Sequence, residues 1–174
     1  MSGTQWLSPE QQGAWRALIS VHARLLGRLD TELQAACDIS LGEFEVLVAL
    51  SEAPGEALRM AELADRLVVS PSGLTRRVDK LARHGLVGRE PCPSDRRGSF
   101  AVLTPGGREA LERAAPAHLV GVRRYVIEPL SGQQLIDLAA NMRSIGQALA
   151  TAAPVAPIEG YRPRSRARAA GPLT

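Results

Sequence analysis

The sequence predicts a mainly α-helical protein with a small β-hairpin wing. It reads as a winged helix-turn-helix domain with dimerisation helices before and after it. Three observations lead there. Aromatic residues are only 3% of the 174, while hydrophobic residues are 45%, so the core must come from Leu, Val, Ile and Ala, which favours helices over a sandwich. Helix-capping residues followed by helical apolar spacing recur along the chain. Two short strand-like segments, "LVGREP" and "SFAVLT", come directly after one such helix.

The first helix opens with Ser8 as N-cap, Pro9 in the first turn and Gln11 completing a capping box. Trp15, Leu18, His22, Leu25, Leu29 and Ala36 recur at helical spacing, with Leu26 and Leu33 widening the stripe, so a helix is expected over residues 9–37. A second box, Ser40 to Glu43, opens a shorter helix with Phe44, Leu47 and Leu50 inward, and Pro54-Gly55 stops it. "MAELADRLVV" forms a third helix that packs through Leu63 and Leu67, with small Ala64 between them. In "SPSGLTRRVDKLARHGL", Ser70 caps, Pro71 fits the first turn and Gly85 ends the fourth helix.

The two strands then flank "CPSDRRG". Thr104-Pro105 opens a helix over about residues 105–128, in which Pro116 predicts a kink. A last box, Ser131 with Gln134, precedes Leu135, Leu138, Met142, Ile145 and Leu149, a seam of heptad type. The tail from residue 153 is rich in Pro, Ala and Arg and is expected to be disordered. The expected organisation is a dimerisation helix at 1–37, the winged domain at 38–104, further dimerisation helices at 105–152 and the tail at 153–174.

Net charge is +3, unevenly spread. Residues 5–56 hold three basic and eight acidic side chains, whereas residues 59–97 hold nine basic and five acidic. A basic segment in an otherwise neutral or acidic chain suits a polyanion-facing surface. No apolar run approaches the ~18 residues of a membrane span, and no basic-then-apolar leader opens the chain. A cytoplasmic location is the expectation. Gly-rich phosphate loops, nucleophile elbows and paired catalytic carboxylates are missing from the sequence, which points away from an enzyme and implies no cofactor. His22, His84 and His118 lack metal-ligand spacing.

The fourth helix carries the functional signal. At ~100° per residue, Leu74, Val78 and Leu81 share one side, and Ser72, Thr75, Arg76, Asp79 and Arg83 take the other. Its first turn is short and polar: Ser70, Ser72, Gly73 and Thr75. Small residues let a helix N-terminus enter the DNA major groove, where Arg76 can fork onto a guanine edge and hydroxyls can meet phosphate or base. Arg77 and Lys80 flank this face and suit the phosphate backbone. Beside the helix, a hairpin tip with Arg97 suits the minor groove. Asp95 stands two residues before it, close enough to hold the guanidinium, and Arg96 can reach phosphate.

From "MAELADRL" through "SPSGLTRRVDKLARHGLVGRE" to "SDRRGSFAVLTPGG", the sequence resembles the MarR family of bacterial transcription regulators. Asp95 and Arg97 match the family's Asp-x-Arg wing, and Leu103-Thr104 match the lead into a long helix. The resemblance covers about residues 9–150. It implies a homodimer with terminal helices joined at an apex. It also implies binding of double-stranded DNA at a pseudo-palindromic operator, usually as a repressor relieved by a small-molecule effector. By position, Arg97 takes the minor-groove role, and Ser72, Thr75, Arg76 and Arg77 the major-groove and phosphate roles.

Trp15, His22 and Met60 are candidate effector-binding residues. Two other readings are open: a repressor sensing oxidants through Cys37 or Cys92, and a winged helix that binds protein rather than DNA. Cys37 has apolar neighbours and is expected to be buried, whereas Cys92 is expected to be exposed in the wing.

Overall fold

The computed structural model describes residues 6–92 and 95–152, and of residues 95–97 only the backbone. Residues 153–174, where the sequence predicts a disordered tail, lie outside the described residues. The elements run α1 (Pro9–Cys37), α2 (Leu41–Ser51), a 3-10 turn (Pro54–Glu56), β1 (Ala57–Arg59), α3 (Met60–Arg66), α4 (Pro71–Arg83), β2 (Val87–Cys92), β3 (Asp95–Leu103), α5 (Pro105–Val122) and α6 (Gly132–Thr151). The chain falls into two compact units that divide after Leu130.

All three expected capping boxes are present, at Ser8, Ser40 and Ser131. Each satisfies two amides that a helix N-terminus otherwise leaves unpaired. In α2 the first-turn amide of Leu41 also donates to Asp30 Oδ1 of α1, at 2.7 Å. In the first unit, the core gathers Leu33 from α1, Val46, Leu47 and Leu50 from α2, Leu63 from α3, and Leu74, Val78 and Leu81 from α4, all essentially inaccessible to solvent. Ala110 and Ala114 of α5 join the same cluster. Their small side chains let that helix approach.

Strand β1 has no counterpart in the sequence reading. It is three residues long, too short for a visible alternation, and it exists because β3 offers it an edge: Leu58 pairs with Ala101 in a sheet ordered β1-β3-β2. The expected end of the fifth helix is also modified. Helix α5 is continuous through Pro116, which is exposed, so the carbonyl it leaves unpaired can be hydrated. A π-helical turn follows at Arg123–Ile127. Next to it, Gly121 lets α5 close on α1; a Cβ there would lie 2.6 Å from Leu29 Cδ2. Tyr125 then donates to Glu32 Oε1 at 2.5 Å, and this hydrogen bond is the main reason the Glu32 pKa is lowered.

Only Leu29 and Leu33 of the long α1 stripe are buried; Trp15, Ile19 and Leu26 are exposed. In the second unit, α6 likewise exposes Ile136, Leu138, Met142, Ile145 and Leu149.

Helices α3 and α4 end in the same way. After α4, Gly85 takes φ 69°, its amide donates to Ala82 O, and Leu86 N donates to Leu81 O. After α3, Val68 N donates to Asp65 O and Val69 N to Ala64 O. This is the Schellman pattern, which turns on a left-handed residue. At α3 that residue is Val68, with φ 52°, and its side chain is 90% exposed. A β-branched residue is strained there and gains no burial in return. Val68→Gly is expected to stabilise the protein by about 1 kcal/mol, the relief of strain exceeding the added chain entropy of glycine. Urea unfolding checks this; an unchanged or lower midpoint would mean the turn holds valine without strain.

Candidate nucleic-acid interface

Helix α4 presents the face its spacing predicts. Leu74, Val78 and Leu81 are buried, while Ser70, Ser72, Thr75, Arg76, Asp79 and Arg83 are exposed. Ser70 Oγ accepts from Gly73 N at 3.1 Å, and Thr75 Oγ1 donates to Pro71 O at 2.9 Å. The first turn is therefore locked by its own hydroxyls. Gly73 keeps this turn narrow: an added Cβ would meet Ser70 Oγ at 3.0 Å. Arg76 is exposed and makes no ion pair among the described residues.

Arg77 and Lys80 are placed differently from a plain phosphate-facing pair. Both are half-buried and turned towards α2. Lys80 Nζ lies 2.9 Å from Glu43 Oε1, whose side chain is 5% exposed. Burial alone would raise the Glu43 pKa, but hydrogen bonds from Ser40 and the Lys80 ammonium together hold it below the usual carboxylate range. The Arg77 guanidinium lies on the backbone of Gly42, where a Cβ would come within 2.6 Å of Cζ. Its Nη1 is 3.9 Å from Glu45 Oε2, an ion-pair distance but too long for a hydrogen bond. Spacing along α4 cannot reveal this, because the acids that hold these cations belong to another helix.

The wing is fastened to α4 by Arg89 Nη2 and Asp79 Oδ1, 2.9 Å apart. In the β2–β3 ladder, Pro91 pairs with Ser99 and Cys92 with Asp95. Arg96, Arg97 and Gly98 thus have no partner on β2 and form a bulge in β3. Asp95, expected at the hairpin tip, is instead a paired strand residue. The side chains of Asp95, Arg96 and Arg97 lie outside the described residues. Cys92 is buried rather than exposed, since β2 continues through it and the ladder closes opposite Asp95. Cys37 is half-buried, with Sγ 3.8 Å from Arg113 O. Neither is in a disulfide.

An open cavity of about 660 Å³ lies among α1, α2, α3 and α5, lined by Leu26, Phe44, Glu45, Arg66, Leu111 and His118 among others. Trp15, His22 and Met60 are not part of its lining. Trp15 and His22 are exposed on the stretch of α1 that precedes its packed part, and Met60 is half-buried at the start of α3. His118, weighed from the sequence only as a metal ligand and discounted, lines the cavity. Its neighbours come from other helices, so its own segment gives no signal.

Three packed helices, with α4 presenting a small polar N-terminal turn beside a three-stranded wing, define a winged helix-turn-helix protein of the transcription-regulator type. The model of the MarR family matches residues 38–98. The MarR family regulator AbsC from Streptomyces coelicolor is 37% identical at a TM-score of 0.78, over 84% of this chain and 99% of that one. Sco3205 from the same organism, solved in complex with DNA, is 39% identical at 0.80, over 84% and 92%. The transcriptional repressor YetL of Bacillus subtilis is 36% identical over 80 residues, 46% of this chain and 48% of that protein. The curated relatives are matched over 48% to 62% of their length. The chain belongs to the MarR family of transcriptional regulators, a family of regulators rather than enzymes. Among the described residues, no helix is long and apolar enough to cross a membrane.

Proposed function

We propose that this protein is a homodimeric repressor that binds a pseudo-palindromic operator in double-stranded DNA and is released by a small-molecule effector. The observation that carries the reading is the exposed, narrow first turn of α4, with Arg76 in no ion pair among the described residues, next to a wing whose arginines stand in a bulge. Ser70, Ser72, Gly73, Thr75 and Arg76 enter the major groove, and Arg97 enters the adjacent minor groove. Residues 38–104 form the DNA-binding part in this reading.

The neighbour Sco3205 was solved with DNA, and YetL is a repressor by name. Dimerisation is supported by the exposed apolar stripes of α1 and α6, which a second copy would cover; two-fold symmetry then matches a palindrome. Half-sites about one helical turn apart, ~34 Å, demand a fixed separation of the two α4 helices, and the effector releases DNA by changing it.

The test is to select fragments from the source genome with the protein, then measure binding to the recovered site by gel shift. Arg76→Ala is expected to cost ~1–3 kcal/mol and to relax preference at one position per half-site. Arg97→Ala is expected to weaken binding with urea unfolding unchanged. Full affinity in Arg97→Ala would refute the wing assignment. If no fragment is recovered while a protein partner is bound, this is an interaction module.

A further inference from the structure

Glu45 stands between two parts of the molecule. Its Oε2 lies 3.9 Å from Arg77 Nη1 on α4, and the same residue lines the cavity of about 660 Å³. His118 lines that cavity too, its ring against Phe44 with centroids 4.6 Å apart. His118 Nδ1 is buried with no hydrogen-bond partner among the described residues. Burial lowers the His118 pKa and the Glu45 charge works against it, leaving the imidazole neutral at neutral pH. Arg77 Nη1 is also buried without a hydrogen bond. The Glu45 carboxylate therefore faces a cation it does not fully satisfy on one side and a cavity on the other.

The sign of the cavity follows. Its other charged lining residues, Arg66 and Glu52, are paired with each other. That leaves Glu45, whose partner Arg77 stands 3.9 Å away and outside the lining, as the least compensated charge among largely apolar walls. An anion entering there meets repulsion and finds Arg66 already held. A cation meets a carboxylate whose present partner is distant. The apolar walls and the volume suit an organic molecule of modest size.

We propose that the cavity takes an apolar molecule bearing a protonated amine, and that Glu45 is the positioning residue that relays its arrival. The ammonium draws the carboxylate away from Arg77, and α4 loses one of its two charged ties to α2, keeping Lys80–Glu43. Because the Arg77 guanidinium is seated on the backbone at Gly42, losing its counter-charge loosens the α2–α4 junction itself. This rests on the reading of the protein as an effector-released regulator, and adds the class of effector and the route by which it acts.

The experiment uses the full chain and two probes of equal apolar bulk and opposite charge, 1-naphthylmethylamine and 1-naphthoate. Calorimetry gives their affinities. Hydrogen exchange of the α4 amides, measured without DNA, reports the junction. The amine is expected to bind at least ~tenfold tighter than the carboxylate, a difference of about 1.4 kcal/mol, and to speed α4 exchange.

Glu45→Gln is expected to abolish the preference and to show fast α4 exchange before any probe is added. Arg77→Gln is expected to keep the amine affinity while the probe no longer changes α4 exchange. Equal or tighter binding of naphthoate, or amine binding that leaves wild-type α4 exchange unmoved, overturns the proposal. DNA binding is measured separately on the same samples. Its absence without probe would overturn the regulator reading and leave the Glu45 relay standing.

Discussion

Gly107→Ala is expected to destabilise the protein by about 3 kcal/mol or more, while Gly106→Ala, one residue away, is expected to stay within about 0.5 kcal/mol of wild type. Both glycines lie in the first turn of α5, and both are exposed to the same local propensity argument. Their surroundings differ. A Cβ on Gly107 would lie 2.0 Å from Leu86 O and 2.8 Å from Leu103 Cδ1, whereas one on Gly106 would meet Gly85 O at an ordinary 3.5 Å. The first contact is with backbone and cannot be relieved by a rotamer change.

It also sits in a clamp. Thr104 Oγ1 donates to Gly85 O at 2.7 Å and accepts from Gly107 N at 3.0 Å, tying the start of α5 to the end of α4. Relieving the clash means breaking that clamp. Urea unfolding of both variants decides the matter. Near-equal midpoints would mean that α5 shifts at little cost and that Gly107 is not closely packed.

The second large effect concerns salt. Many of the basic side chains in residues 59–97 are already committed within the protein: Arg66 to Glu52, Arg77 to Glu45, Lys80 to Glu43 and Arg89 to Asp79. Arg76 and Arg83 make no ion pair among the described residues, and the wing adds Arg96 and Arg97. If the proposed homodimer forms and these four per protomer meet phosphate or groove, about eight counterions are released. The logarithm of affinity is then expected to fall with a slope of about −7 against the logarithm of salt. Between ~50 and ~200 mM that is on the order of 10⁴-fold. Fluorescence anisotropy on the selected fragment measures it. A flat response would remove the DNA reading. A much steeper slope would mean that the internal ion pairs open on binding.

What the sequence disclosed was whatever is written locally. The boxes at Ser8, Ser40 and Ser131 placed three helix starts to the residue, since each couples a hydroxyl to a side chain three positions on. The buried and exposed faces of α4 followed from spacing alone. What stayed hidden depends on partners far along the chain. "TPGG" announces a helix entry, yet nothing in it separates Gly106, which is in open contact, from Gly107, which is against a carbonyl of another segment. Lys80 and Arg77 look like outward cations until Glu43 and Glu45 are seen facing them. Strand β1 needs β3 to exist. The apolar stripe of α1 was legible, but one chain buries only its later part.

The three unpaired residues of β3 give the wing a particular freedom. Its ladder is already complete from Pro91–Ser99 back to Val87–Leu103, and it closes again at Cys92–Asp95 beyond them. Sequence and length at positions 96–98 are thereby uncoupled from the alignment that keeps Ala101 and Leu103 in the interior. Descendants of this chain, or its engineers, can refit what the finger touches without renegotiating the chassis that carries it.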